Sequence, residues 1–356
     1  MHPTVRRPLV LVLAAALALA LLALAPASPA RAATDEVYAP LDRPGPSLTV
    51  PREKLRDALT CHGDPTTGPT PVLLNPATSV TPEENFGATY VKAFNAQGRA
   101  WCWVTMPHNT LGDIQIAAEH LTYAVRTLHR RAGRDISVLG HSQGGMSIRW
   151  VLRFWPDTRA MIDDVIGVAP SNHGTTALAE CVEGVTTCTP AVWQQRDEAA
   201  FMDALNSRSE TIAGISYTVV YTRLDEVVTP NHSAAASSSS LRTGEGDITN
   251  VAIQDVCPTA ASEHVLVGVT DPVAYALITD ALDHRGPAEP ARVDRSTCTQ
   301  PVMPYFDATD PDTARLLLLQ AAPKVATVPV PVLNIAGAPQ VPAEPRLRCY
   351  VYADGC

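Results

Sequence analysis

A serine between two glycines is the most informative chemical feature of this chain. Ser142 lies between Gly140 and Gly144, after a short apolar run at 136–139 and before apolar residues at helical spacing in 148–155. This order predicts a nucleophile elbow, a tight strand-to-helix turn that exposes a serine hydroxyl at the edge of a sheet. Both glycines are needed because a Cβ there would collide with the neighbouring strand and helix. The segment predicts a serine hydrolase, and the alternative is a glycine-rich turn whose serine has no chemical role.

The acid that such a serine requires is predicted at Asp225. A serine hydroxyl reacts only when a histidine accepts its proton and a carboxylate fixes the tautomer of that histidine. With this elbow, the acid and then the histidine follow the serine along the chain, on loops after later strands. Asp225 directly follows a predicted strand at 215–222. We prefer it to its neighbour Glu226, because the first carboxylate after the strand has the shorter reach.

Three histidines, His232, His264 and His284, follow Asp225 and are candidates for the base. His232 lies only seven residues beyond Asp225 in a polar turn. His284 ends a predicted helix, where the helix dipole favours a cation, so its presence there has a structural explanation. His264 lies in a predicted loop between a strand and the last core helix, as the fold requires. The predicted triad is therefore Ser142, Asp225 and His264.

The negative charge that develops on a substrate oxygen needs at least two hydrogen-bond donors. One predicted donor is the backbone N–H of Gln143, the residue after the serine. The other is expected from the loop at 75–79 after the first core strand. Thr78 in that loop offers an N–H and a hydroxyl, and a role as an ordinary turn residue is equally open. His141 flanks the serine and is expected to line the substrate pocket.

The elements that must hold these residues alternate along the chain. Predicted strands lie at 71–75, 100–104, 136–139, 165–168, 215–222 and 251–254, and predicted helices at 83–97, 113–131, 193–205 and 272–284. Asp113 is expected to cap its helix and Gly133 to end it. Strands that alternate with helices predict an α/β domain with a mostly parallel central sheet and helices on both faces.

The two ends of the chain differ from this core. Residues 1–32 combine Arg6 and Arg7, an apolar run and an Ala-Arg-Ala cleavage site, which predicts a secretory signal peptide. A membrane anchor is the rival interpretation, but the apolar run is slightly short for a span. The expected organisation after the signal peptide is an irregular lead-in at 33–60, a catalytic domain at 61–322 and a proline-rich, disulfide-closed segment at 323–356.

The charge of the chain excludes some partners. The net charge is −9, and loss of residues 1–32 removes three arginines and no acid, which leaves about −12. Such a surface repels nucleic acid and anionic membranes. Neither a nucleic-acid partner nor a stable membrane anchor is therefore expected.

Eight cysteines follow the predicted signal peptide: Cys61, Cys102, Cys181, Cys188, Cys257, Cys298, Cys349 and Cys356. An even number in an exported chain predicts four disulfides, although eight cysteines allow 105 pairings. No Cys-x-x-Cys pair and no Cys/His cluster has zinc spacing, so neither a metal nor another cofactor is expected.

Several segments together carry a family resemblance: Leu59-Thr60-Cys61, 71–78, 142–145, Ala169-Pro170 with Gly174-Thr175, 192–195, 225–228, Cys257, His264 and Cys298. With them the chain resembles the Candida antarctica lipase B type of triacylglycerol lipases and their bacterial relatives, from about residue 59 to the C-terminus. The resemblance implies the α/β-hydrolase fold, the triad named above, and Thr78 and Gln143 as the oxyanion hole. It also implies the disulfides Cys61–Cys102, Cys257–Cys298 and Cys349–Cys356, and leaves Cys181–Cys188 as a fourth pair without a counterpart in the yeast enzyme.

The sequence departs from that family around the expected substrate pocket. His141 stands where the yeast enzyme has a tryptophan that shapes the alcohol side, and Ser171 stands where it has an acid. Gln195 matches a polar residue on the acyl side, and Val227 is expected to line the pocket with these residues. The combined expectation is a secreted, monomeric lipase or carboxylesterase that acts on an ester or lipid substrate through an acyl-enzyme. The alternatives are a polyester- or sterol-ester-directed hydrolase or transferase, and a catalytically inactive binding module.

Overall fold

The computed structural model describes residues 37–311 and 337–356. The predicted signal peptide and residues 323–336 of the predicted proline-rich segment lie outside the described residues. Within them the strands are β1 Leu59–His62, β2 Val72–Asn75, β3 Trp101–Val104, β4 Ile136–His141, β5 Ile162–Val168, β6 Ser216–Tyr221 and β7 Asp247–Ala252. The α-helices in the same ranges are α1 Arg52–Asp57, α2 Tyr90–Ala96, α3 Ile114–Ala132, α4 Gln143–Phe154, α5 Pro190–Gln194, α6 Ala200–Asn206, α7 Ile253–Val256, α8 His264–Val269 and α9 Pro272–Asp283.

The strands form one sheet in the order β1-β3-β2-β4-β5-β6-β7. β1 pairs with β3 antiparallel, and every other neighbouring pair is parallel. The carboxyl ends of β2, β4, β6 and β7 therefore reach the same edge of the sheet. This edge is where open α/β sheets bind ligands, and the predicted site residues follow these four strands.

Helices cover both faces of the sheet. α3 and α4 pack on one face in a core cluster that contains Leu73, Val138 and Val219. α2 and α9 pack on the other face, where Leu74 and Val220 point. Neighbouring strand residues face opposite sides because side chains alternate along a strand. The predicted mostly parallel sheet with helices on both faces is confirmed.

The helix α3 shows why its ends were predictable. The carboxylate of Asp113 accepts a hydrogen bond of 2.9 Å from the backbone N–H of Gln115, and Gly133 ends the helix at a positive φ of 65°. A short polar side chain at the N-cap and a glycine after the last turn are the usual signals of helix ends.

Other element boundaries differ from the prediction. The helix predicted at 83–97 is a π-helical turn, Glu83–Gly87, followed by α2, because Thr89 leaves helical backbone angles at φ −125° and ψ −99°. The helix predicted at 193–205 is divided into α5 and α6, whose aromatic side chains pack in separate clusters.

The predicted lead-in at 33–60 is not irregular throughout, since it contains α1 and the start of β1. The strand predicted at 251–254 starts earlier, at Asp247, and ends at Ala252. It is an outer strand whose first four residues are exposed or half-buried, so they carry no apolar signal. Gln254 belongs to α7.

Four disulfides join Cys61–Cys102, Cys181–Cys188, Cys257–Cys298 and Cys349–Cys356. The first connects two residues that face each other on β1 and β3. The prediction of a disulfide-bonded fold is confirmed.

One helical stretch of the described residues, His264–Asp283, is long and apolar enough to cross a membrane. It comprises α8 and α9, and 78% of its most apolar 18 residues are buried inside the protein. Its burial follows from the packing of α9 against β5 and β6.

Candidate active site

Ser142 lies at the turn between β4 and α4. Its backbone angles, φ 55° and ψ −124°, are rare for a residue with a side chain. The turn can be this tight because the residues two positions before and two positions after Ser142 are glycines. A Cβ on Gly140 would overlap the backbone of Gly144, and a Cβ on Gly144 would overlap the backbone of Asn75. Residues 140 and 144 must therefore be glycines, because any Cβ at these positions would overlap the neighbouring backbone.

The structure brings Ser142, His264 and Asp225 together. The Nε2 atom of His264 lies 3.0 Å from the Ser142 Oγ, and its Nδ1 lies 2.9 Å from an Asp225 carboxylate oxygen. A carboxylate only accepts hydrogen bonds, so the imidazole proton lies on Nδ1. Nε2 is then the acceptor for the serine hydroxyl. This is the arrangement that a general base requires.

Asp225 is held by the turn that follows it. Its other carboxylate oxygen accepts hydrogen bonds from the backbone N–H groups of Val227, at 2.9 Å, and Val228, at 2.7 Å. The side-chain amide of Asn231 approaches the oxygen that faces His264, at 3.4 Å. The carboxylate is fully buried, so these donors fix its orientation toward the imidazole. Asn231 was not indicated by the sequence.

His264 is the first residue of α8, not part of a loop as predicted. The helix starts there because the Glu263 carboxylate caps it, and accepts hydrogen bonds from the N–H groups of Val265 at 2.9 Å and Leu266 at 3.1 Å. The other two candidate bases lie elsewhere. His232 is exposed, and His284 is bonded through Nδ1 to the Asp280 carbonyl, at 2.9 Å.

The surroundings of His264 favour its protonated form. Burial by itself lowers the pKa of this imidazole. The charge and hydrogen bond of Asp225, together with the charges of Glu226 and Glu263, outweigh burial and raise the pKa above its usual value. A hydrogen bond joins the carboxyl groups of Glu226 and Glu263, so the rival acid acts on His264 together with Glu263.

The residues predicted for the oxyanion hole are neighbours. The Thr78 hydroxyl donates to the Gln143 side-chain oxygen at 2.8 Å. The N–H groups on either side of Thr78 are held inside the protein: Ala77 donates to the Asn85 side chain at 2.9 Å, and Ser79 donates to the Asn109 carbonyl at 2.8 Å. Gln143 is the first residue of α4, where a backbone N–H has no acceptor within its helix. Thr78 therefore contacts the side chain of Gln143, whose own backbone N–H directly follows Ser142.

The residues predicted for the pocket differ in position. Gln195 donates to the Thr78 hydroxyl and to the Gln143 side chain, both at 3.1 Å. Ser171 is fully buried, and its hydroxyl donates to the side-chain oxygen of Gln195 at 2.9 Å, so it orients the Gln195 amide. Val227 is 41% exposed, next to Asp225.

His141 takes no exposed position in this structure. It is only 2% exposed, and both of its ring nitrogens have protein partners, the Asn85 side chain and the His264 carbonyl, each at 3.1 Å. It was expected to line the pocket, but both of its ring nitrogens are hydrogen-bonded to other protein groups. Asn85 was not indicated by the sequence, because its partner is 56 positions away.

No group of three or more His, Cys, Asp or Glu side chains in the described residues is arranged to hold a metal ion.

The sheet topology, the elbow and the residues that meet there define an α/β-hydrolase. No protein-family model matches the chain. Lipase B of Pseudozyma antarctica is 30% identical over 294 residues, which are 81% of this chain and 84% of that protein. The crystal structure of Aspergillus fumigatus lipase B is similar with a TM-score of 0.75 and 27% identity, and covers 87% of this chain and 74% of that one. The chain belongs to the lipase B family and is a carboxylic ester hydrolase.

Proposed function

We propose that this protein is a secreted, monomeric serine hydrolase that cleaves lipid or other carboxylic esters through an acyl-enzyme on Ser142. The observation that carries the proposal is the unbroken hydrogen-bond chain from Ser142 through His264 to Asp225, at 3.0 and 2.9 Å. Its membership of a lipase family supports ester substrates. Its four disulfides support export to an oxidising compartment.

In the first half of the reaction the Ser142 oxygen attacks the ester carbonyl carbon while His264 Nε2 accepts the hydroxyl proton. The carbonyl π electrons move to oxygen and form a tetrahedral oxyanion. When the oxyanion collapses, the bond to the alcohol oxygen breaks, and His264 returns its proton to that oxygen. Asp225 stays ionised and stabilises the imidazolium in between. The products are the free alcohol and an acyl ester on Ser142.

In the second half a water molecule replaces the alcohol. His264 accepts a proton from the water as the water oxygen attacks the acyl carbon and forms a second tetrahedral oxyanion. When this oxyanion collapses, the bond from the acyl carbon to the Ser142 oxygen breaks, and His264 returns the proton to that oxygen. The carboxylic acid is released and the serine hydroxyl is restored.

The oxyanion is stabilised by donors that are in place before the reaction. The Gln143 N–H lies at the N-terminus of α4, where the helix dipole also favours negative charge. Thr78 adds its N–H, and its hydroxyl turns from the Gln143 side chain to the oxyanion. Gln195 bonds both side chains and holds them while this happens. Loss of one such donor in other hydrolases reduces kcat by about 10²–10³-fold.

The proposal is tested with a fluorophosphonate probe, which reacts with activated serines. We expect the native protein to be labelled and Ser142→Ala to be neither labelled nor active. Ser296→Ala, a change at an exposed serine, is the matched control and should behave as the native protein. Rates on p-nitrophenyl butyrate, a long-chain triglyceride and a polyester film then rank the substrates. A folded native protein that resists the probe contradicts the proposal.

A further inference from the structure

We propose that His141 and Asn85 form a buried hydrogen-bond relay that positions His264 against the oxyanion loop. His141 acts in it as a positioning residue with no contact to the substrate. The inference rests on the proposed function, because it assigns His264 as the base. It adds two residues that have no place in the reaction steps above.

The relay consists of three consecutive hydrogen bonds. The backbone N–H of Ala77 donates to the Asn85 amide oxygen at 2.9 Å. The Asn85 amide nitrogen is 3.1 Å from His141 Nδ1, and His141 Nε2 is 3.1 Å from the backbone carbonyl of His264. Ala77 precedes Thr78, and His141 precedes Ser142. The relay thus contacts the chain at the base and directly beside both the nucleophile and the oxyanion threonine.

The direction of these bonds settles the protonation of His141. Since the Asn85 oxygen accepts the N–H of Ala77, the amide nitrogen of Asn85 faces His141. An amide nitrogen only donates, so His141 Nδ1 must be an unprotonated acceptor. The single ring proton is then on Nε2, and it is donated to the His264 carbonyl. Each donor in the relay has an acceptor only if His141 is neutral, because a proton on Nδ1 would face the Asn85 amide nitrogen, which is also a donor.

The environment keeps His141 neutral. Burial, followed by the nearby charge of protonated His264, lowers the pKa of His141 to about 3. Its ring centroid is 5.3 Å from that of His264. A protonated His141 at this distance would oppose the transfer of a proton to His264, whereas a neutral donor provides the hydrogen bond without the charge.

Packing leaves the relay little freedom to move. Asn85 is fully buried in the π-helical turn Glu83–Gly87, and such turns are frequent at functional sites. A Cβ on Gly268 would overlap the imidazole of His141, so the backbone of α8 lies directly against that ring. The relay therefore fixes the start of α8, where His264 projects toward Ser142. An error of about 1 Å at this point reduces catalysis by up to 10²-fold.

The first measurement is the ring-nitrogen NMR of the native protein. We expect a protonated Nε2 and an unprotonated Nδ1 at His141, unchanged from pH 8 to pH 5, and the same signals in Ser142→Ala. Protonation at Nδ1, or titration near the ordinary histidine value of about 6.5, overturns the relay whatever the enzyme does. If Ser142→Ala keeps its activity while these signals are as expected, the proposed function fails and the hydrogen-bond chain stands without a catalytic role.

The second measurement is steady-state kinetics on variants. We expect His141→Leu and Asn85→Leu each to lower kcat by on the order of 10- to 100-fold, with KM changed less than about twofold. His141→Gln, whose amide donates in place of Nε2, should recover part of the loss. The double variant should be about as slow as either single variant, because both break one network.

His120→Leu is the matched control. His120 is also a buried histidine, bonded to a carbonyl within α3, and its substitution should lower stability without lowering kcat. Losses that fall on kcat and KM together, lack of rescue by His141→Gln, or multiplicative losses in the double variant contradict the relay.

Discussion

His264 is surrounded by groups that stabilise its protonated form. Burial opposes protonation, but Asp225, Glu226 and Glu263 outweigh it and hold the pKa of His264 above the ordinary value of about 6.5. The base must be neutral to accept the serine proton, so activity is present above this pKa and lost as the pH falls through it. We expect the acid limb of kcat/KM to lie above pH 6.5. A limb below pH 6 is the result that contradicts this assignment.

Asp225→Asn tests the largest of these charges. The amide cannot hold the imidazole in the required tautomer, and loss of the same carboxylate in a serine protease triad lowers kcat by about 10⁴-fold. The residual activity should have its acid limb at lower pH, because the group that raises the pKa of His264 is gone. Asp163→Asn, at an exposed aspartate on β5, is the control and should leave the profile unchanged. An unshifted limb in Asp225→Asn contradicts the electrostatic argument.

The short helix α8 links stability to catalysis, because it begins at the base itself. Glu263 caps it with two hydrogen bonds, while burial and the neighbouring Glu226 raise the pKa of the Glu263 carboxyl. Glu263→Gln keeps an oxygen that caps the helix but removes the charge. We expect it to move the acid limb of the pH profile to lower pH.

Glu263→Ala separates the two roles of this residue. It removes the cap as well as the charge, and loss of an N-cap costs about 1 kcal/mol of unfolding free energy. Urea denaturation should show this loss for the alanine variant and a smaller change for the glutamine variant. If both variants lose equal stability, the cap has been assigned to the wrong group.

Elements with one clear periodicity were the predictable ones. The apolar residues of α3 and α9 recur at helical spacing because one face of each helix packs on the sheet, and β2, β4 and β6 are fully buried apolar strands. β7 has a half-exposed start, and the chain at 83–97 contains a π turn whose residues are also buried. The sequence pattern therefore does not distinguish a strand from a loop at the start of β7, or a π-helix from an α-helix at 83–97.

The disulfides should differ in their contribution to the stability of the whole molecule. In the chain-entropy model, a crosslink stabilises by restricting the unfolded chain, more so for a longer loop. Cys257–Cys298 spans 41 positions and Cys181–Cys188 spans 7. Replacing each pair by serines should cost about 4 and about 2 kcal/mol respectively. Equal losses in guanidinium denaturation would contradict the model for this protein.

The segment at 172–190 is the lid candidate, because its apolar residues 177–179 could cover the pocket mouth, but it is tied to the rest of the molecule. Cys188 exchanges two backbone hydrogen bonds with Val341, and the N–H of Thr176 donates to the Thr229 carbonyl at 3.1 Å. A segment held in this way is a poor lid. We expect the rate on a micelle-forming ester to rise smoothly through the micelle threshold, in the native protein and in an exposed-loop control, Val185→Ser. An abrupt increase at the threshold would show that a lid opens.

Three features could be predicted from the sequence, because each depends on neighbouring residues or on the order of elements. They are the chain order of serine, acid and histidine, the glycines of the elbow, and the caps of α3. The relay of Asn85 and His141, the hydrogen bond of Ser171 to Gln195 and the pairing of Glu263 with Glu226 appear only in the folded chain. They join residues that are far apart in sequence, or depend on which side a buried polar group faces, and neither leaves a periodic pattern. Tertiary packing alone turned a histidine expected beside the substrate into a buried partner of the base.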